Sequence, residues 1–190
     1  MFDQLTNRLG PLATRRNVLI LLALEILMNA VVLPIAGARI QAFSGGVGPL
    51  DLRFAYTADQ AFAALTAYGP TGREFYLLIE LTADVLYPII YSLFFSLAIL
   101  FFWERAGGRW PILARLALLP FVGLIADYLE NAGLITLLLN YPAQLPTLAL
   151  LTSLFTSIKW IMAGLSLVAL TLSLVAAVIT RLQKPDPAQP

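Results

Sequence analysis

The stretch EFYLLIELTADVLYPIIYSLFFSLAILFFW, from Glu74 to Trp103, is where the fold is decided. It exceeds the roughly 20 apolar residues that cross a hydrocarbon core, and it ends in aromatic residues that suit a membrane interface. It also holds Glu80 and Asp84 in its interior. Arg73, Tyr76, Glu80, Asp84, Tyr87 and Tyr91 are three or four positions apart and share one helical face, while Leu, Ile, Phe and Val occupy the other. Such a helix turns an apolar side to lipid and its ionisable side toward other helices.

Three more apolar runs accompany it. The first spans Val18 to Ala36 and is expected to stop at Pro34 and Gly37. A third opens at Trp110-Pro111 and continues to Asn140, with Pro120 as an expected kink. The fourth, Thr147 to Thr180, would measure about 50 Å as one helix, so it must tilt or protrude from a core of roughly 30 Å. The expectation is an all-α integral membrane protein: one four-transmembrane-helix bundle over residues 1–184, with spans at 18–36, 74–103, 111–140 and 147–180. A disordered tail is expected at 185–190. Between the first two spans lies a loop holding Ser44-Gly45-Gly46-Val47-Gly48-Pro49 and the extended piece Asp51-Leu52-Arg53-Phe54. Thr57 with Gln60 forms a capping box for a short amphipathic helix that ends near Tyr68, expected to rest on the membrane surface. A second box, Thr71 with Glu74, is expected to start the next span.

Composition agrees with this architecture and narrows the chemistry. Of 190 residues 59% are apolar and 12% charged, against about a quarter charged in a soluble domain. Cysteine and histidine are absent, which removes disulfides, thiolate nucleophiles, imidazole bases and the usual zinc and haem ligand sets. The net charge of +1, without a basic stripe, gives nucleic acid no footprint. Thr14-Arg15-Arg16 resembles a twin-arginine signal. Glu25 and Asn29 interrupt the apolar region behind it, which favours a retained span. Arg8, Arg15, Arg16, Arg105, Arg109, Arg115, Arg181 and Lys184 fall on one side, against Arg39, Arg53 and Arg73 on the other. Both termini are therefore expected in the cytoplasm of a multi-pass cell-membrane protein.

Each helix brings ionisable or polar groups to a similar depth. Helix one offers Glu25 and Asn29, helix three Asp127, Glu130 and Asn131, and helix four Lys159 on a stripe with Thr152, Thr156, Ala163, Ser166, Ser173 and Thr180. The candidate pocket is Glu25, Asn29, Glu80, Asp84, Tyr87, Tyr91, Asp127, Glu130, Asn131 and Lys159. Five carboxyls face one lysine, or that lysine and Arg73 if the arginine reaches inward. A charge at mid-membrane costs about 2.5 to 3.5 kcal/mol, so the excess acid must be protonated, hydrated or paired with a bound cation. Glu80 is expected to lie shallow enough for hydration, Tyr76 and Tyr141 to be interface aromatics, and Trp160 to face lipid. Such a pocket suits a small molecule, a lipid-like ligand or a cation, or carboxyl acid–base catalysis. It also suits a proton- or cation-coupled transporter or channel, and an accessory subunit that meets partner membrane subunits. An oxygen-only metal site at Asp84, Asp127 and Glu130 is compatible with the inventory. Nothing identifies a cofactor. Asp84 and Asp127 invite comparison with intramembrane aspartyl proteases, but Thr82-Ala83-Asp84-Val85 and Ile125-Ala126-Asp127-Tyr128 lack the motifs of those enzymes.

Overall fold

The computed structural model describes residue 6 and residues 8–183, all of them helix, turn or loop. Lys184 and the tail expected at 185–190 lie outside the described residues. Four helices are long and apolar enough to cross a membrane: Arg15–Ser44, Gly69–Arg105, Pro111–Asn140 and Pro146–Leu182. Only the fourth is unbroken, and Pro34 and Pro120 lie just behind the interruptions in the first and third. The first long helix is α1 (Arg15–Leu27), a π-helical turn at Met28–Val32, and α2 (Leu33–Ser44). Pro34 was expected to end it, but the wider π turn takes up the missing N–H, and the helix continues to Gly45 in the left-handed conformation. This first span is thus longer than the expected 18–36 and includes Arg39.

After the loop come α3 (Ala58–Ala67), α4 (Gly69–Glu80) and α5 (Ala83–Arg105). The Thr57–Gln60 box caps α3 in both directions. The box expected at Thr71 does not form; Gly69, at φ +63°, turns the chain directly from α3 into α4. The second span therefore starts earlier than expected and breaks at Leu81-Thr82. Pro88 lies within α5 and has no N–H for the carbonyl of Asp84 four residues before it. The third long helix helps satisfy that turn: Asn131 Nδ2 donates to the Asp84 carbonyl at 2.8 Å, and the Tyr128 hydroxyl donates to the Val85 carbonyl at 2.8 Å. The third helix comprises α6 (Pro111–Leu116) and α7 (Leu119–Asn140), parted at Ala117-Leu118 just before Pro120. The fourth is α8 (Pro146–Leu182).

The four long helices run up and down, so Arg15, Arg105, Pro111 and Leu182 gather at one end, and the 45–57 loop caps the other. The two larger apolar clusters occupy the ends. Leu97, Ile99, Leu100, Ala117 and Ala169 pack toward the end that holds Arg15 and Arg105; Ile40, Leu50, Leu65, Tyr76 and Leu137 pack beneath the loop. The buried face of α3 is Ala61, Ala64 and Leu65, held against this second cluster. A layer of buried polar groups, Glu80, Asp84, Asp127, Glu130, Asn131 and Thr156, separates the two clusters.

The most extensive helix interface is that of α7 with α8, and Gly133 permits it. A Cβ there would overlap Thr152 Oγ1 and approach the Thr152 Cβ and Cγ2 to 3.0 Å. Gly133→Val is expected to cost about 3 kcal/mol through overpacking, measured as a lower melting temperature in detergent. Thr152→Ala should restore part of the loss.

Candidate functional site

The polar layer is built around Lys159. Its ammonium is in close ion-pair contact with Glu130 Oε2 and lies 3.7 Å from Asp127 Oδ1. Asp127 and Glu130 are three residues apart on α7 and so share a face, while Lys159 projects from the polar stripe of α8. Thr156, one turn before the lysine, donates from Oγ1 to Glu130 Oε1 at 2.6 Å and fixes the far side of that carboxyl. The lysine is therefore paired with both acids of α7. Arg73 does not assist it: the guanidinium donates to the Leu65 carbonyl at 2.9 Å and covers the Tyr141 ring at 3.8 Å, at the loop end.

Beside this ion cluster lies a cavity of about 110 Å³. Its polar wall is Asn29, Asp51, Asp84, Tyr87, Asp127 and Lys159. Its aromatic and apolar wall includes Tyr91, Phe95, Trp160, Leu33, Leu52 and Ala163. Asn29 comes from the π turn of the first helix, and its amide donates to Glu25 Oε1 at 2.9 Å and meets the Tyr87 hydroxyl at 3.0 Å. Asp84 projects from the first turn of α5, where the break at Leu81-Thr82 and the Asn131 contact set its backbone. Its side chain is largely buried, lines the cavity and lies outside the ion pairs of Lys159. The Tyr91 hydroxyl is also buried and stands beside Asp127.

Of the expected residues, Asn29, Asp84, Tyr87, Tyr91, Asp127 and Lys159 thus meet around one space. Glu25 joins through Asn29, Glu130 stands behind Lys159, and Asn131 holds the backbone of Asp84. Glu80 is not shallow: it is 0% exposed, both carboxyl oxygens lack partners, and it lies off the cavity wall. Among the described residues no three acidic side chains converge closely enough to hold a metal ion by themselves.

Asp51 was not among the expected site residues. The loop folds back over the bundle, and the Tyr76 hydroxyl donates to Asp51 Oδ1 at 2.5 Å while accepting from the Leu50 N–H at 3.1 Å. Tyr76 is 1% exposed, an internal anchor for the loop instead of an interface aromatic. Trp160 is half-exposed, yet its indole N–H donates to the Asp51 carbonyl at 3.1 Å and its ring lines the cavity. Ser153 Oγ accepts from the Tyr56 N–H at 2.8 Å, and the Ser157 hydroxyl donates to the Phe54 carbonyl at 2.8 Å. The Tyr68 hydroxyl donates to the Gly48 carbonyl at 2.9 Å; burial pushes this phenol well up, so it remains a neutral donor. The one sequence signal for Asp51 is its place just after Gly48-Pro49, since loop geometry alone brings it inward.

No protein-family model, curated protein or solved structure matches this chain.

Two outcomes follow from the hydrogen bonding. Lys159→Met strands two buried carboxyls and should cost about 3–5 kcal/mol; adding Glu130→Gln and Asp127→Asn should recover much of the melting temperature. Tyr76→Phe removes the loop's anchor at a cost of about 1–3 kcal/mol, and hydrogen exchange should rise at residues 50–57 before it rises in α7.

Proposed function

We propose that this chain is an integral membrane protein whose acidic pocket binds a small molecule, a lipid-like ligand or a cation. Four helices of spanning length support the membrane assignment, as do the many apolar side chains on their outer surfaces, among them Leu19, Ile26, Val122, Leu129, Leu167 and Val175. Arginines concentrate at the end that holds Arg15, Arg105 and Leu182, which supports cytoplasmic termini and a 45–57 loop on the opposite side. The lipid bilayer is then the first partner of this chain.

The observation that carries the binding reading is the state of Asp84. Glu130 and Asp127 share the lysine, and Asp51 is held by Tyr76. Asp84 lines the same cavity outside these pairings. A largely buried carboxyl that faces an open space instead of a protein cation is placed to partner a ligand. If the pocket turns a substrate over, Asp84 is the group placed to exchange a proton with it, while the hydroxyls of Tyr87 and Tyr91 orient it.

The test is a thermal-stability screen of the purified protein against metabolites, lipids and mono- and divalent cations. A compound that raises the melting temperature of the native chain should do so much less for Asp84→Asn; a loss of 2–5 kcal/mol in binding is typical when one partner of a buried charged pair is removed. If neither Asp84→Asn nor Asp127→Asn alters any response, the reading fails. Proton or cation flux in proteoliposomes under a gradient would instead assign the same side chains to coupled transport.

A further inference from the structure

Resting on the reading that this cavity binds a ligand, we propose that the ligand is an amphiphile with a positively charged nitrogen. It reaches the cavity sideways, between the first and fourth long helices, and lodges its head against Asp84 and Tyr91 while its tail stays among lipid.

The sign of the charge comes from the wall. Asp51, Asp84 and Asp127 face the cavity with Lys159 as the one cation lining it. That ammonium is held by Asp127 and by Glu130 behind it, so it offers little to an anion. An anionic head would meet uncompensated carboxylates. A cationic head meets Asp84, which lies outside the ion pairs of Lys159, and the buried Tyr91 hydroxyl, which stands beside Asp127 on the same cavity. A bare metal ion fits poorly, because no three acids converge among the described residues. An organic ammonium does not require them, since its charge is spread over carbon and is satisfied by one carboxylate and the faces of aromatic rings. Those rings are in place: Tyr87 and Tyr91 meet edge to face with centroids 5.3 Å apart, and Phe95 and Trp160 complete the wall.

The route and the tail come from packing. The first long helix packs on the second through α1 with α5 and α2 with α4, whereas it forms no substantial interface with the fourth. Leu33 of the first helix and Trp160 and Ala163 of the fourth both line the cavity, so the seam between these helices is its side opening. Leu52 of the loop lies in the same wall and is more than half exposed. The far side of the polar layer is closed by the tight α7 with α8 pair. At about 110 Å³ the cavity is well below the roughly 300 Å³ at which drug-sized pockets begin. It takes a head group and leaves a chain outside.

The experiment uses the full chain in maltoside micelles with dodecyltrimethylammonium, dodecanoate and dodecanol, all below their aggregation concentrations, and tetramethylammonium as the tail-less head. The ammonium amphiphile should raise the melting temperature of the native chain and of Asp59→Asn, an exposed acid far from the cavity, while the acid and the alcohol of equal length should not. Asp84→Asn should weaken its binding by about tenfold or more. Ala163→Trp, which fills the side opening and leaves Asp84 in place, should abolish the shift even if the Asp84 variant does not fold. Tetramethylammonium should bind far more weakly than the tailed compound. Equal stabilisation by the three amphiphiles would overturn the ammonium class while leaving a lipid-binding pocket. A response that survives in Ala163→Trp would overturn the side route. Silence of all four probes, with other compounds still acting through Asp84, would overturn this inference alone; silence across the whole screen would remove the binding reading with it.

Discussion

The contact on which the rest of the molecule depends is that of Lys159 with Glu130 and Asp127. Ions taken out of water lose several kcal/mol of hydration each, and the two apolar clusters above and below leave little to replace it. Placing one cation between two carboxyls, and fixing one of those with the Thr156 hydroxyl, lets a polar layer exist at mid-height. The same contact locks α7 to α8 in register, which the absent side chain at Gly133 allows to approach closely. With that pair fixed, the other two long helices arrange themselves around it.

Prolines then shape the layer. In the middle of a helix a proline frees the carbonyl four residues earlier, and in an apolar bundle a freed carbonyl needs a donor. Pro88 frees the carbonyl of Asp84, and Asn131 supplies the donor, so one residue of the third helix holds the backbone of the acid that lines the cavity. Pro34 is accommodated by a π turn, and that turn carries Asn29 to the cavity wall. Departures from regular helix and the position of functional groups are, in this chain, one phenomenon.

The 45–57 segment gives the layer its roof. Its backbone is held by side chains of the second and fourth helices, Tyr76, Ser153, Ser157 and Trp160, with few bonds inside the loop itself. It brings a further carboxylate, Asp51, to a place already rich in them, against the electrostatic preference of the cluster, and a short hydrogen bond from Tyr76 holds it there.

The sequence by itself determined the four long apolar helices and the inward placement of the stripe from Tyr76 to Tyr91 and of Asp127, Glu130 and Lys159. Hydrophobic length and a period of three to four residues are local properties, and they survive whatever partners a helix finds. The Thr57–Gln60 cap was legible for the same reason, since it closes within four residues. Tertiary structure alone decided which acids are paired and which are left free. Asp84 and Asp127 look alike along the chain and both line the cavity, but only Asp127 meets the lysine, because the break before Ala83 and the fit at Gly133 set distances that no spacing encodes. It also decided that Arg73 stays at the loop end, that Glu80 is sealed from water and that Asp51 enters the site, for each depends on where a loop or a broken helix ends in space. Pairing in a low-dielectric interior is settled by ångströms between distant segments, and sequence distance carries no record of them.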